Sequence, residues 1–296
     1  MTQDQPWTIG RLLGWTADYL KQNGAESPRL DAEILLAEAR GCQRIELYTA
    51  YDEPASDETR SAFRELVRRR SEGTPVAYLI GRREFYSLNF RVTPDVLIPR
   101  PETELLVVAA LDRAKQASSP NGNTIADVGT GSGIIAICLA KNLPTARLTA
   151  TDISAAALQV AAENVAQHDV ADRVELIESD LLAAVSADRR YDIIASNPPY
   201  VRADEMDNLP PDVRDHEPRQ ALLAGPTGTE LIERLTDQAA ERLVSGGWLL
   251  LEISPTIVDA AEAIIEKDDR LDRHGTIKDL AGLPRVIQAQ RRTATP

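Results

Sequence analysis

The sequence predicts an α/β fold in which a small N-terminal helical bundle precedes a doubly wound, mostly parallel sheet of seven strands. Beyond about residue 80, short apolar strands alternate with helical patterns, and this alternation favours a layered α/β structure. Before residue 80, apolar residues recur at spacings of three and four, which is typical of helices. The 296 residues are enough for two domains and a substantial core.

The first 80 residues predict four or five helices. Helical spacing of apolar residues is clearest over residues 9–20, 30–39 and 58–70, and Ser27 and Pro28 are start signals for the second of these helices. Such a domain could simply be a packing cap on the following domain.

Residues 81–92 predict a β-hairpin linker with its turn around Ser87, so that the α/β domain would span residues 93–296. The basic run Arg68–Arg70, which lies before this linker, has two interpretations. It could be a local spot for RNA, but the cationic last turn of a helix is the better interpretation, because it complements the helix dipole.

A strand, a glycine turn and a helix follow one another at the start of the α/β domain. The predicted strand Thr124–Val128 leads into the loop Gly129–Gly133, and the apolar run Ile134–Ala140 then predicts a helix. Glycines let a ligand approach the backbone, and this order is typical of a nucleotide-type site. The spacing is Gly-x-Gly-x-Gly, and Ile134 stands where a pyrophosphate fingerprint needs its third glycine, which weakens that interpretation.

Acidic residues follow the next strands. The strand Arg147–Thr151 ends at Asp152, whose carboxylate could accept hydrogen bonds from both hydroxyls of a ribose. The strand Val174–Ile177 ends near Asp180 and Leu181, where an adenine could receive one polar and one apolar contact. Asp127, inside the first strand, suits either the glycine loop or an ammonium group of the ligand.

A fourth predicted strand, Tyr191–Ser196, ends in Asn197-Pro198-Pro199-Tyr200. The two prolines remove two backbone donors and keep the turn out of a helix, so the carbonyl of Pro198 can point into a pocket. The Asn197 amide supplies a second acceptor oxygen, and the Tyr200 ring could lie flat on a planar group. The motif therefore predicts a site that grips a small planar NH2 group.

The remaining strands of the sheet are predicted at residues 248–253, 273–277 and 285–291. Residues 201–228, rich in Pro, Asp and Gly, form a long connection directly after the Asn197 motif. Loops of that length are usually lids or disordered, and its position favours a lid.

These motifs together resemble a class I methyltransferase that uses S-adenosyl-L-methionine, with its Rossmann-like seven-stranded domain. Three further runs, residues 97–104, 216–222 and 278–286, resemble the HemK/PrmC family, which methylates the glutamine of the Gly-Gly-Gln motif in peptide chain release factors. The resemblance implies S-adenosyl-L-homocysteine as the product, release factors as protein partners, and a role for the helical domain in substrate recognition.

The resemblance also implies the roles of individual residues. The catalytic residues would be Asn197, Pro198 and Tyr200. The cofactor would be bound by Asp127, Gly129, Thr130, Gly131, Ser132, Gly133, Asp152, Ile153, Asp180, Leu181 and Asn197. The substrate would be bound by Asn197, Pro198, Pro199, Tyr200, Arg100 and Glu102.

Composition indicates a cytoplasmic, metal-free protein without a membrane segment. Two cysteines and three scattered histidines predict neither a disulfide framework nor a metal site. The formal net charge is −13, whereas binding to double-stranded DNA usually needs a basic surface, so no stable nucleic-acid binding is expected.

Three alternative functions stay open. The Asn197 motif would equally suit an N6-adenine or N2-guanine nucleic-acid methyltransferase, because an exocyclic amine also carries two hydrogens. A ribosomal-protein glutamine methyltransferase is a second alternative, and a cofactor-binding scaffold without catalysis is the third.

The chain departs from the family pattern at a few positions. Ser254 and Ile257 stand where the family usually has Gly and Gln, and Thr229 stands where a Leu is expected. These departures concern local loop detail, and the cofactor and acceptor motifs are complete.

Overall fold

The computed structural model describes residues 6–117 and 122–293, which divide into two compact units. The first unit contains the chain up to Arg82 together with Pro210–His216, and the second contains Arg83–Leu209 and the chain from Glu217 onward. The helices, in chain order, are α1 (Ile9–Gln22), α2 (Pro28–Arg40), α3 (Glu46–Thr49), α4 (Asp57–Ser71), α5 (Val76–Ile80), α6 (Glu104–Gln116), α7 (Ile134–Asn142), α8 (Ala155–Gln167), α9 (Pro211–His216), α10 (Glu230–Arg242) and α11 (Val258–Glu266).

The strands, in chain order, are β1 (Arg82–Phe85), β2 (Leu88–Arg91), β3 (Thr124–Val128), β4 (Arg147–Asp152), β5 (Val174–Glu178), β6 (Tyr191–Ser196), β7 (Val201–Arg202), β8 (Leu223–Gly225), β9 (Leu243–Glu252), β10 (Leu271–Arg273), β11 (Ile277–Lys278) and β12 (Pro284–Arg291). The β1–β2 hairpin turns at Tyr86 and Ser87, whose φ angles of 51° and 60° give the left-handed pair that a two-residue hairpin turn requires.

Local signals explain where the N-terminal helices begin. The Thr8 hydroxyl accepts a hydrogen bond from the Arg11 N–H at 3.3 Å at the start of α1, and Ser56 does the same for Thr59 at 3.1 Å at the start of α4. Pro28 occupies the first position of α2. The three predicted helices are confirmed, and the five helices α1–α5 share one apolar core.

The main sheet has the strand order β10-β12-β9-β6-β3-β4-β5, with the two-residue β11 beside β12. The strands β5, β4, β3, β6 and β9 are mutually parallel, and β12 is antiparallel to β9. The predicted seven-stranded, mostly parallel sheet is therefore confirmed, with one short strand added at its edge.

Each face of this sheet has its own core, as a doubly wound fold requires. Ile125 and Ile193 belong to the core that α6 and α7 cover, whereas Ala126 and Ile194 belong to the core that α10 and α11 cover. Successive residues of one strand thus alternate between the two cores.

The predicted strand at residues 273–277 is wrong. The pairing is interrupted between β10 and β11, where the Gly275 carbonyl accepts a hydrogen bond at 2.8 Å from the side chain of Gln288 on β12 instead of from the backbone of that strand. The strand predicted at 248–253 begins earlier, at Leu243, and ends at Glu252. Within residues 6–117 and 122–293, no helix has the length and apolar character needed to cross a membrane.

Residues 201–228 contain several short elements. These are β7, β8, the helix α9 and two 3-10 turns at Met206–Asn208 and Arg219–Ala221. The strands β7 and β8 pair in parallel as a small separate sheet. Whether the segment moves as a lid stays a prediction.

Candidate active site

A cleft of about 630 Å³ lies at the carboxyl ends of β3, β4, β5 and β6. The carboxyl ends of parallel strands are where ligands bind in open α/β sheets. Its walls include residues from the glycine loop and from the turns after these strands: Gly129, Gly131, Asp152, Ile153, Asp180, Leu181, Asn197 and Pro199. The structure therefore brings eight of the predicted site residues together around one cavity.

The glycine loop contributes open backbone to this cleft. Gly129 and Gly131 have φ angles of 74° and 55°, and a Cβ added to either would meet no atom within 4 Å. The loop is anchored because the N–H groups of Gly129 and Thr130 donate to the Thr151 carbonyl at 2.8 and 2.9 Å. A ligand in the cleft can thus approach a fixed, side-chain-free stretch of backbone.

The other loop residues have different positions. Thr130 and Ser132 are buried, and neither lines the cleft. A Cβ on Gly133 would lie 3.2 Å from Ile137 Cδ1, so this glycine allows close packing at the start of α7.

Asp127 lies beneath the loop and is fully buried. Its Oδ2 accepts hydrogen bonds from the Thr130 hydroxyl at 2.6 Å and from the Ala136 N–H at 3.1 Å. Its Oδ1 is buried and has no hydrogen-bond partner among the described residues. Burial raises the pKa of this carboxyl to about 6. Oδ2 therefore braces the loop, Oδ1 has no partner among these described residues, and Asp127 is not among the residues that line the cleft.

Asp152 is half-buried at the end of β4. Its Oδ2 accepts from the Gly131 N–H and its Oδ1 from the Ser154 N–H, both at 2.9 Å, so the carboxylate is held in place between the loop and α8. Burial raises its pKa. The next residue, Ile153, leaves 51% of its surface exposed on the cleft wall, which makes it an apolar platform for a flat ring.

Asp180 and Leu181 follow β5. Asp180 is exposed, and its Oδ2 accepts from Arg234 at 2.6 Å. Leu181 has a left-handed φ of 54° and lines the cleft beside it. The polar and apolar contacts predicted for an adenine are thus both present at this end of the cleft.

The Asn197–Tyr200 motif is only partly on the cleft wall. Asn197 and Pro199 line the cleft, whereas Pro198 is buried and Tyr200 packs against the core beneath α10 and α11. Burial raises the pKa of the Tyr200 phenol. The Asn197 Nδ2 donates to the Thr103 hydroxyl at 3.3 Å.

Of the three runs of sequence that carry the resemblance, residues 97–104 contact each of the other two. Arg100 donates to Glu217 at 2.6 Å, and the Glu217 side chain is only 1% exposed and also accepts from the Ile98 N–H at 3.2 Å. Glu102 lies 3.8 Å from Arg285, which pairs with Asp279 at 2.8 Å. Arg100 and Glu102 do not line the cleft, and in this structure their charges are engaged within the protein.

Comparison with known proteins agrees with this geometry. Residues 11–81 match the family model of the PrmC N-terminal domain, and residues 103–209 match that of the methyltransferase small domain. The release factor glutamine methyltransferase of Rhodopirellula baltica is 52% identical over 98% of this chain and 98% of its own length. The chain belongs to the release factor glutamine methyltransferase family.

Further likenesses agree with this family assignment. The family member from Geobacter sulfurreducens is 39% identical over 95% of this chain and 96% of its own length. A solved 16S rRNA methyltransferase from T. thermophilus, in complex with AdoMet and guanosine, superposes with a TM-score of 0.53 at 19% identity, covering 71% of this chain and 50% of that one. That likeness shows the fold alone, and the resemblance to the HemK/PrmC family is confirmed by the full-length relatives.

The departures from the family pattern have local explanations. The Ser254 hydroxyl accepts from the Thr256 N–H at 3.3 Å and so caps the 3-10 turn Pro255–Ile257. Ile257 is buried and fills the core beneath α10 and α11. Thr229 precedes α10 and hydrogen-bonds Thr227 at 3.0 Å. None of these three residues lines the cleft of this family member.

Three buried polar residues had no individual role in the sequence-based prediction, namely Thr103, which hydrogen-bonds Asn197, and Glu217 and Glu252. Glu252 is 3% exposed, and its pKa is raised to about 7 by burial. One signal was available, because this glutamate interrupts an otherwise apolar run at the end of β9. A charge inside a buried strand is costly and therefore marks a candidate functional group.

Proposed function

We propose that this chain transfers a methyl group from S-adenosyl-L-methionine to the side-chain amide nitrogen of the glutamine in the Gly-Gly-Gln motif of peptide chain release factors, with S-adenosyl-L-homocysteine as the product. The observation that carries the proposal is the position of Asn197 on the wall of the cleft that the glycine loop also lines. The full-length relatives of this chain are named release factor glutamine methyltransferases. A substrate of translation termination implies that the enzyme acts in the cytoplasm.

Residues on the cleft wall and Asp127 beneath the glycine loop suit this cofactor. The side-chain-free loop at Gly129 and Gly131 leaves space for the methionine part, and the free Oδ1 of Asp127 suits its ammonium group. Asp152 suits the ribose hydroxyls, whereas Ile153 and Leu181 offer apolar contact to the adenine. When bound, S-adenosyl-L-methionine supplies a methyl group that is already electrophilic because it is attached to a sulfonium.

The acceptor residues must compensate for a weak nucleophile. The lone pair of an amide nitrogen is delocalised, so a glutamine side chain reacts only when it is aligned and its hydrogens are held. The Asn197 Oδ1 and the Pro198 carbonyl would each accept one of the two N–H groups, which favours the positive charge that develops on the nitrogen. The methylated nitrogen is then acidic enough to lose its proton to water, so no side chain is needed as a strong base.

Alignment accounts for much of the expected acceleration. Orientation of reacting groups can lower a barrier by ~7–11 kcal/mol in favourable cases. Pro199 contributes to this by stiffening the turn that carries Asn197, and Tyr200 anchors the turn in the core.

The helical unit offers a surface for a protein substrate. A groove of about 520 Å³ lies between α1 and α4, and its walls combine aromatic and basic side chains, among them Trp15, Tyr19, Arg60 and Arg64. The Trp15 ring is 53% exposed and stacks on Tyr19 with 5.1 Å between ring centroids. Exposed aromatic rings beside arginines are typical of protein-binding surfaces.

Replacement of Trp15 by Ala tests this role. We expect a higher KM for the release factor with an unchanged kcat and an unchanged affinity for S-adenosyl-L-methionine, because the ring would contribute to binding alone. Steady-state methyl transfer over a range of release-factor concentrations measures both constants. An unchanged KM would assign the groove to packing within the helical unit.

The proposed function is tested by incubating a purified release factor with the enzyme and S-adenosyl-L-methionine, followed by intact-mass and peptide mass spectrometry. We expect one added methyl group on the glutamine of the Gly-Gly-Gln motif. The Asn197→Ala variant should be slower by about 10²–10³-fold, which is the usual cost of losing one group that stabilises a transition state.

Thermal unfolding of this variant and its affinity for S-adenosyl-L-methionine provide the control for folding. A wild-type enzyme that binds the cofactor but methylates no release factor would contradict the proposed substrate. Normal turnover by Asn197→Ala would contradict the role of its amide.

A further inference from the structure

The short strand β8 meets the cleft along one of its edges. Leu223 and Ala224 both line the cleft, whereas Val201 and Arg202, the two residues of β7, do not. Successive side chains of a strand point to opposite faces, so a cavity that two neighbouring residues both line lies beside the strand rather than over one face. The cleft therefore lies along the edge of β8 that faces away from β7.

This edge carries main-chain groups that no other strand pairs. Within residues 6–117 and 122–293, β7 is the only strand that pairs with β8. The Leu222 carbonyl accepts a hydrogen bond from the Val201 N–H at 2.9 Å and so points to β7. Successive carbonyls of a strand point to opposite sides, and the N–H and C=O of one residue point to the same side. The N–H and C=O of Leu223 therefore point away from β7, toward the cleft.

The free edge of β8 is held in a fixed position relative to Asn197. The strand β7 begins directly after Tyr200, so the turn that carries Asn197 continues into the strand that pairs with β8. Two main-chain bonds of 2.9 Å, donated by Val201 and Ala203, fix β8 against this strand. Four residues of chain span at most about 14 Å, so the edge is within reach of the residues that flank a glutamine bound at Asn197.

The proposed substrate needs an edge of this kind. A Gly-Gly-Gln segment offers the enzyme a single side chain, so its two glycines can be recognised only through their main-chain groups. Glycine also loses more conformational freedom than any other residue when it is ordered, which makes such a segment costly to align. An exposed strand edge supplies main-chain donors and acceptors that hold an extended peptide in one register.

We propose that the N–H and C=O of Leu223 hydrogen-bond the main chain of the substrate segment beside the methylated glutamine, so that this segment adds to β8 as an edge strand. Leu223 then binds the substrate through its backbone, and the register of the added strand determines which side chain reaches Asn197. This inference rests on the proposed function, because the bound segment is the one that carries the Gly-Gly-Gln motif.

Removal of the Leu223 N–H alone tests the inference. Leucic acid, the α-hydroxy analogue of leucine, can be incorporated at position 223 by nonsense suppression, and it replaces the N–H by an oxygen while keeping the side chain. We expect kcat/KM for the release factor to fall about two- to tenfold, which is the usual effect of losing one hydrogen bond, with an unchanged affinity for S-adenosyl-L-methionine. Steady-state methyl transfer and calorimetry measure the two quantities.

Leu222 provides the matched control. Its N–H already donates to the Arg219 carbonyl within the enzyme, at 3.2 Å. Leucic acid at position 222 therefore makes the same chemical change but removes a bond that the enzyme makes to itself. We expect it to lower the unfolding temperature and to leave kcat/KM for the release factor within about twofold of the wild type.

A second measurement observes the N–H groups directly and needs no turnover. In ¹⁵N-leucine-labelled enzyme with S-adenosyl-L-homocysteine, the Leu223 signal is identified by its absence from the protein with leucic acid at that position. Saturating release factor should slow exchange of the Leu223 amide with water by about tenfold or more, because the group gains an acceptor. The amide of Leu222, which already has one, should change much less.

Two results would overturn the inference while the proposed function stands. Equal falls in kcat/KM with leucic acid at positions 222 and 223 would assign the loss to the internal structure of this segment. Unchanged exchange at Leu223 in a saturated complex would show that its N–H does not bind the substrate. Absence of methyl transfer by the wild type would instead contradict the proposed function, and the inference with it.

Discussion

Two buried carboxylates, Asp127 and Glu252, occupy equivalent places on the two sides of the active site. Each lies at or near the carboxyl end of a strand of the main sheet, β3 for Asp127 and β9 for Glu252. Each is at most 3% exposed, and each has one oxygen without a hydrogen-bond partner among the described residues. Burial raises the pKa of both, to about 6 for Asp127 and to about 7 for Glu252.

The two acids differ in what holds them. Asp127 is bound by Thr130 and Ala136, which lie within nine residues of it in the chain. The charged groups that act on Glu252 are Glu102, Arg285 and Arg100, which come from distant segments of the chain. The bonds of Asp127 are thus local, whereas the surroundings of Glu252 and the bond between Asn197 and Thr103 exist only after the sheet has formed.

The comparison predicts that loss of the Asp127 charge affects the affinity for S-adenosyl-L-methionine. Asp127→Asn keeps an oxygen for Thr130 and Ala136 but removes the charge that the proposed ammonium contact needs. We expect the affinity for S-adenosyl-L-methionine to fall about 10–100-fold, because hydrogen bonds to charged groups contribute about 1.5–3 kcal/mol. Isothermal titration calorimetry measures this change directly.

Asp127→Ala is the matched control, since it also removes the bonds to the loop. It should lose the same affinity and, in addition, unfold at a lower temperature than Asp127→Asn. Cofactor affinity within threefold of the wild type in Asp127→Asn would assign Asp127 to the loop alone.

The same comparison explains what the sequence could predict. The glycine loop, Asp152 and the Asn197 motif could be identified because the residues that act together are close in the chain. Thr103 and Glu217 could not be assigned roles, because their partners Asn197 and Arg100 come from segments that only the tertiary fold brings together. The wrong strand at 273–277 has a similar cause, since the Gln288 side chain that bonds Gly275 lies on another strand.

Ionisation of Glu252 should also lower the free energy of unfolding at neutral pH. Its folded pKa of about 7 lies above the ordinary 4.5, so the folded protein binds more protons than the unfolded chain between these values. Stability therefore falls as the pH rises from about 4.5 to about 7, by roughly 3 kcal/mol at most. Glu252→Gln removes this loss, and its unfolding temperature should exceed that of the wild type by more at pH 8 than at pH 5.

Asp127→Asn makes this prediction sharper. The pKa of Asp127 is about 6 instead of 3.8. The stabilisation that Asp127→Asn brings should therefore develop at lower pH than that of Glu252→Gln and be complete by about pH 7. Differential scanning calorimetry of both variants from pH 5 to pH 8 separates the two profiles. A difference between Glu252→Gln and the wild type that is independent of pH would mean that Glu252 has the same pKa in the folded protein as in the unfolded chain.

The smallest effect is expected at Asp180, an acid that does line the cleft. It is exposed, and its partner Arg234 is 48% exposed, so their ion pair at 2.6 Å is screened by solvent. Arg234→Ala should change cofactor affinity by less than about fivefold, because exposed pairs contribute about 0.2–1 kcal/mol. Asp180→Ala should cost more if the carboxylate contacts the adenine, since that contact is lost together with the pair. Equal, small losses in the two variants, measured by calorimetry at low and high salt, would remove Asp180 from the cofactor site and leave adenine recognition to Ile153 and Leu181.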